Sequence, residues 1–388
     1  MKLLKTVYQL MLPIIFGLPL ITGATQYDRF FPGAEWMDTS GVAINAHGGG
    51  LLYHNGVYYW YGEHKIEGTS GNKAMVGVHC YSSSDLYNWN DEGIALPVSE
   101  TPGSEIEKGC ILERPKVIFN KKTGKFVMWF HLEFKDTGYN TARSGVAVSD
   151  TPVGPFRYLK SYRPNEGKWP SNVFEEQKVI PAADTFAGVK FIGGPLLATV
   201  QHNILGRDFF SGQMARDMTL FVDDDDIAYH IYSSENNSTL HISKLTDDYL
   251  CPAGEYVRIF EHRWMEAPAV CKQNGKYYLL ASGCTGWAPN AARGAVAEHI
   301  FGPWLEFGNP CDGVNSKTGF GPEKTFGGQS TYIQQVYGKK DAYIAMFDLW
   351  NPKDAIDGRY IWLPVKFYDS ERFRIEWNEE WNLSVFDR

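Results

Sequence analysis

The stretch Leu51-Leu52-Tyr53-His54-Asn55-Gly56-Val57-Tyr58-Tyr59-Trp60-Tyr61 reads as two strands joined by a two-residue turn. Asn-Gly suits the two left-handed positions of a tight hairpin, and the flanking apolar, aromatic and β-branched residues suit a half-buried pleated surface. The pattern then recurs. Lys116-Val117-Ile118-Phe119 passes through Thr123-Gly124 into Lys125-Phe126-Val127-Met128-Trp129-Phe130. Met218-Thr219-Leu220-Phe221 turns at Asp223 to Asp226 into Ala228-Tyr229-His230-Ile231-Tyr232, and Ala269-Val270-Cys271 turns at Asn274-Gly275 into Lys276-Tyr277-Tyr278-Leu279-Leu280. A fifth, weaker unit runs from Ser330-Thr331-Tyr332-Ile333-Gln334 through Gly338 to Ala342-Tyr343-Ile344-Ala345-Met346-Phe347. Outer strands such as Gly77 to Tyr81, Gly145 to Val148 and Leu240 to Ser243 bring each unit to about four strands.

Five such units match radial repetition around an axis, which leaves only short, protected sheet edges. The expected fold is all-β, a five-bladed β-propeller. Sustained helical periodicity is missing from the repeating part, which disfavours an α/β barrel. The irregular stretch from Arg157 to Gln213 is read as an insertion between the second and third units. With 388 residues, 44% of them apolar, the chain can bury a large core, and residues 25–388 are expected to form one domain.

The formal net charge is −8 and no run of Lys and Arg occurs, which argues against nucleic acid as a partner. Met1-Lys2-Leu3-Leu4-Lys5, an apolar stretch from Val7 to Ile21 and the small residues Thr22-Gly23-Ala24 resemble a cleavable leader. Residues 1–24 are therefore expected to be a signal peptide. Gln9, Pro13 and Pro19 interrupt a segment too short for a full span, so the mature chain is expected to be periplasmic or secreted, without a membrane span. The six cysteines lack the paired spacing of a zinc site. Export would permit disulfides, but the spacing pairs none of them.

Each unit opens on a polar residue just before its first strand: His47, Glu113, Asp217, Glu266 and Gln329. In a propeller these positions converge near the axis. Glycoside hydrolysis needs such convergence, because one carboxylic acid protonates the leaving oxygen while a second group activates water. Phased at equivalent places in successive repeats, Glu113, Asp217 and Glu266 are candidates for that chemistry. Glu113 also has a simpler reading as a salt-bridge partner of Arg114. His47 reads equally as a sugar-hydroxyl contact or as a residue filling the axis beside Gly48-Gly49-Gly50. Trp287, Trp60 and Tyr61 offer flat faces for sugar rings, Trp287 most of all because it follows the small-residue loop Ser282-Gly283-Cys284-Thr285-Gly286. The Asp223 to Asp226 run lacks EF-hand spacing and reads as a polar turn, so no metal site is assigned and no cofactor is expected, an axial calcium ion having no motif behind it. GxSxG, P-loop and HExxH patterns are absent from the sequence.

From about Gly41 to the C-terminus the chain resembles glycoside hydrolase family 43, and within it the galactanase-like branch that lacks the usual Asp base. The marks are Ala46-His47-Gly48-Gly49-Gly50 with Tyr58-Tyr59-Trp60-Tyr61-Gly62-Glu63, Glu113-Arg114-Pro115-Lys116-Val117, Arg216-Asp217-Met218-Thr219-Leu220-Phe221, Glu266-Ala267-Pro268-Ala269, Ser282 to Trp287, and Gln329-Ser330-Thr331. The resemblance implies that Glu266 is the general acid and Asp217 the carboxylate that positions it and raises its pKa. Where most of the family opens its first blade on an Asp base, this chain reads Asn45-Ala46-His47-Gly48-Gly49. In the galactanase-like branch Gln329, assisted by Glu113, would handle the attacking water, which asks an amide to act through its imidic-acid tautomer.

The implied activity is inverting, exo-acting release of galactose from β-1,3-galactan of plant-type arabinogalactan. The alternatives are an α-L-arabinofuranosidase, a β-xylosidase or a galactofuranosidase of the same family, or a non-catalytic sugar-binding propeller.

Overall fold

A computed structural model describes residues 26–182 and 203–387. The expected leader, residues 1–24, lies outside them, as does part of the expected insertion. Five sheets surround one axis, and the first four begin with their innermost strand. Blade one holds β1 (His47–His54), β2 (Val57–His64), β3 (Gly77–Ser83) and β4 (Asn90–Pro97). Blade two holds β5 (Ile111–Asn120), β6 (Lys125–Glu133), β7 (Arg143–Ser149) and β8 (Arg157–Tyr162). Blade three has β9 (Met218–Val222), β10 (Ala228–Ser234), β11 (Thr239–Leu245) and β12 (Pro252–Ile259), and blade four β13 (Met265–Gln273), β14 (Lys276–Gly283), β15 (Arg293–Ala297) and β16 (Trp304–Gly308).

Blade five differs at its rim. A short strand, β17 (Cys311–Asp312), pairs in parallel with β21 (Phe373–Glu376), outside β18 (Gln329–Gln335), β19 (Tyr343–Leu349) and β20 (Arg359–Phe367). The inner strands β1, β5, β9, β13 and β18 pack in that order around the axis, and β18 returns to β1. Backbone bonds between Phe30 and Trp381, 2.7 and 3.1 Å long, tie the first described segment to the last.

The turn chemistry is as expected. Asn55 and Gly56 take φ 51° and 86°, and Asn274 and Gly275 take φ 50° and 80°, the paired left-handed geometry that tight hairpins need. At the Asp223 to Asp226 turn, the Asp223 N–H donates to the Ile227 carbonyl at 2.9 Å while the Asp223 carboxylate meets Lys272. The expected insertion begins later than Arg157, because Arg157–Tyr162 is β8, the outer strand of blade two. Beyond it, the described residues run over blade three, where Ser171 donates to the Tyr256 carbonyl and the Tyr256 hydroxyl donates to the Lys168 carbonyl.

The core lies between blades. Trp60, 1% exposed, packs with Trp36, Trp89 and Trp362 at centroid distances of 4.7–5.7 Å between blades one and five. Tyr61, fully buried, packs on Phe156 between blades one and two and donates its hydroxyl to the Pro152 carbonyl at 2.5 Å. Neither is a sugar platform, contrary to the sequence reading. Successive side chains of β2 alternate between the two neighbouring inter-blade spaces, which removes both rings from the axial pocket. All six cysteines are unpaired thiols.

Candidate active site

Three of the inner strands, β1, β5 and β13, begin with β-bulges. Pairing slips between His47 and Gly50, between Glu113 and Lys116, and between Glu266 and Ala269. In each bulge the second residue is left-handed: Gly48 at φ 62°, Arg114 at 57° and Ala267 at 54°. A bulge adds a residue and re-aims the side chains beside it. Holding Arg114 and Ala267 in this region costs on the order of 1 kcal/mol or more each, a strain typical of functional sites.

The bulges of β5 and β13 aim Glu113 and Glu266 into an axial cavity of about 300 Å³, which Asp217, Gln329 and Trp287 also line. All five blades contribute, since the lining further includes Glu63 from β2, His131 from β6, Asn237 from the turn after β10 and Trp350 just past β19. The volume sits at the small end of the ~300–1,000 Å³ common for ligand sites.

Glu266 is half-buried and held at both oxygens. Gln329 Nε2 donates to Oε1 at 3.1 Å, and Asn237 Nδ2 donates to Oε2 at 3.2 Å. Burial first, then the neighbouring Asp217 carboxylate, push its pKa up to about 8 against the opposing pull of Arg114. Glu266 is thus protonated at neutral pH, the state a general acid requires.

Arg114 is the hub, and the sequence reading gave it no role there. Its buried guanidinium pairs with Asp217 Oδ2 at 2.9 Å, donates to Gln329 Oε1 at 2.6 Å and to the Ser330 carbonyl at 3.2 Å, and lies 5.3 Å from the centre of the Trp350 ring. Trp350 Nε1 donates to the same Gln329 oxygen at 2.9 Å. Guanidinium and indole N–H groups donate and cannot accept. Gln329 Oε1 is therefore a doubly accepting carbonyl oxygen, and the orientation of the amide is fixed.

Glu113 does not pair with Arg114. Its oxygens accept from the Tyr139 hydroxyl at 2.8 Å and from His131 Nδ1 at 3.1 Å, and His131 Nε2 meets Glu133 at 3.0 Å. Burial works against charging His131, but hydrogen bonds to Glu113 and Glu133 outweigh it and raise its pKa to about 9. Burial would likewise raise Glu113, yet His131 holds it down to about 2. The result is a buried carboxylate–imidazolium–carboxylate chain along the cavity wall.

His47 does not line the cavity. Its bulge turns the ring away from the axis to stack on Tyr360 at 5.1 Å, and it is completely buried, with burial pushing its pKa down to about 3. It fills the core as a neutral ring and makes no sugar contact. Trp287 stays at the rim, 39% exposed and edge-on to Trp350 at 5.7 Å.

Donor atoms of Glu113, His131 and Asp217 lie within 4.8 Å of one another. Protonated His131 has no free lone pair, and Asp217 is already neutralised by Arg114. As they stand, these side chains are held in ion pairs, Asp217 with Arg114 and His131 with Glu113 and Glu133.

Comparison with known proteins accounts for the arrangement. Residues 192–317 match the glycosyl hydrolases family 43 model. The fold is similar to that of a family 43 β-1,3-galactosidase, solved with galactodeoxynojirimycin, at a TM-score of 0.83 and 50% identity, covering 91% of this chain and 100% of that one. The chain belongs to glycoside hydrolase family 43. Family 43 relatives solved further afield include an exo-β-1,3-galactanase from Clostridium thermocellum, 33% identical with a TM-score of 0.72, over 91% of this chain and 66% of that one. A variant exo-β-1,3-galactanase from Phanerochaete chrysosporium, solved with β-1,3-galactotriose, is 30% identical with a TM-score of 0.70, over 92% of this chain and 69% of that one. Curated protein sequences yield no match.

Proposed function

We propose that this family 43 glycosidase is an exported, inverting, exo-acting enzyme that releases galactose from β-1,3-galactan of arabinogalactan-type polysaccharide without a cofactor. The observation that carries the reading is Glu266, kept protonated by burial and by Asp217 at one wall of a small axial cavity. The likeness to β-1,3-galactosidases and exo-β-1,3-galactanases supports the choice of sugar.

In this reading Glu266 gives its proton to the glycosidic oxygen as the bond to the anomeric carbon breaks. Asp217 sustains the acid's pKa, and Arg114 holds Asp217 in place. Asn237 and Gln329 fix the direction of the carboxyl group. Trp287 offers its exposed face to a sugar at the entrance. Export rests on the leader-like segment at residues 1–24; among the described residues no helix is long and apolar enough to cross a membrane.

Incubating the protein with β-1,3-galactan, arabinan, arabinoxylan and aryl glycosides, and identifying the sugar released, tests the reading. Galactose from the galactan, with no arabinose or xylose released from arabinan or arabinoxylan, supports it. Arabinose or xylose as the main product would move the enzyme to another activity of the family.

A further inference from the structure

Lys116 sits on β5 at the position where pairing resumes after the bulge, opposite Trp129. It is 2% exposed, which is rare for a lysine. The equivalent positions of blades one and four hold Gly50 and Ala269. In their place blade two carries a long amine. Its Nζ donates to two backbone carbonyls, that of Gly48 at 3.0 Å and that of Arg114 at 3.3 Å. Both belong to left-handed bulge residues, one in blade one and one in blade two. A bulge breaks the ladder and leaves its extra residue unpaired, so a buried carbonyl there needs another donor. The bulge of β13 is served in the same way by a shorter side chain: the Ala267 carbonyl accepts from Ser330 Oγ of blade five at 2.7 Å.

Room for the amine is made on the neighbouring strand. A Cβ at Gly50 would lie 2.6 Å from Lys116 Cδ and 3.1 Å from its Cε, so the lysine stem occupies the space that a side chain on β1 would take. Burial first, then the charge of Arg114, push the pKa of Lys116 down to about 7. Protonated or not, the nitrogen carries a hydrogen for each carbonyl.

The peptide groups on both sides of Arg114 are thereby engaged. Its N–H donates to Glu63 Oε1 at 3.1 Å and its carbonyl accepts from Lys116, while the Gly48 N–H donates to Asp348 of blade five. From this held turn the guanidinium reaches Asp217 at 2.9 Å and Gln329 at 2.6 Å.

We infer that Lys116 is a positioning residue of this active site, bridging the bulges of β1 and β5 so that the Arg114 guanidinium stays on Asp217 and Gln329. The inference rests on the reading of Glu266 as the proton donor, because Asp217 and Gln329 both act on Glu266.

A double-mutant cycle on β-1,3-galactobiose, with each variant checked by melting profile, tests it. Lys116→Met keeps the reach of the side chain and removes its donors. Its kcat should fall about 10²-fold, the scale of a small misplacement set up away from the chemistry, with KM within about threefold of wild type. Arg114→Lys combined with Lys116→Met should show a kcat within about threefold of Arg114→Lys alone, because both substitutions undo the same contact. A fall in kcat of less than about tenfold, a loss expressed in KM instead, or losses that multiply in the double variant overturn the inference. Should Lys116→Met fail to fold, Gly50→Ala displaces the lysine stem from the other strand. It must then lower kcat by at least about tenfold with KM held within about threefold, and a smaller fall overturns the inference. A wild-type protein that hydrolyses no β-galactoside would sink the proposed activity instead, a result distinct from these.

Discussion

The side-chain amide of Gln329 donates to Glu266 Oε1 at 3.1 Å. A residue from blade five thus aims the carboxyl group of blade four. Both neighbours of Glu266, Gln329 and Asn237, present N–H groups that favour the ionised form, yet burial and Asp217 prevail and lift its pKa to about 8.

A general acid with that pKa sets the alkaline limb of activity. Raising the pH through about 8 ionises Glu266, so kcat/KM on β-1,3-galactobiose should fall tenfold per pH unit above it. A carboxyl pKa raised on folding makes the native state bind more protons than the unfolded one, and stability from this group declines as pH rises from about 4.5 to about 8. Glu266→Gln should therefore melt higher than wild type at pH 9 and nearly level with it at pH 4. Calorimetry at the two pH values checks this.

His131 should leave its own mark. Its pKa rises on folding to about 9, so its stabilising charge is fully present below pH 6.5 and lost as pH climbs through 9. The isolated loss of this term in His131→Gln should flatten the alkaline decline in Tm between pH 6.5 and 9. A slope equal to that of wild type would show that His131 carries no charge between Glu113 and Glu133.

The buried Arg114 pairs with the part-buried Asp217, and removing one partner of a buried pair costs up to about 3–5 kcal/mol. Arg114→Met should lose up to that much in denaturant unfolding. Arg114→Lys should keep the fold but lose the fork that spans Asp217 and Gln329, with kcat falling more than KM changes.

The two tryptophans first read together as sugar platforms should part company. Trp60→Ala empties the core between blades one and five and should cost about 3–5 kcal/mol of stability, with unchanged KM in the protein that remains folded. Trp287→Ala should leave Tm within a degree or two and raise KM about three- to tenfold, the worth of one stacking face at roughly 0.5–1.5 kcal/mol.

Much of this was legible because hairpins are local. Asn55-Gly56 and Asn274-Gly275 announce turns on their own, and five hairpins in series announce the propeller. Glu266, Asp217, Glu113 and Gln329 were found because equivalent strand starts converge on an axis. What remained hidden depended on direction rather than position. His47 occupies the same bulge position as Glu113 and Glu266 but turns into the core. Trp60 and Tyr61 sit one strand out, where alternation sends them between blades. Glu63 was visible as part of the motif Tyr58 to Glu63, yet its reach into the cavity depends on the absent side chain of Gly48 across the hairpin. Arg114 followed Glu113 so closely that a neighbour pair was the natural reading, whereas the bulge turns the two side chains to different partners.

The central claim is that Glu266 donates the proton in galactoside cleavage. It is tested most directly by measuring Glu266→Gln on β-1,3-galactobiose and on 2,4-dinitrophenyl β-D-galactoside, whose leaving group needs no protonation. The account predicts a loss of about 10³-fold or more on the disaccharide and less than about tenfold on the aryl galactoside, with the fold intact. Equal losses on both substrates, or unchanged hydrolysis of the disaccharide, would contradict it.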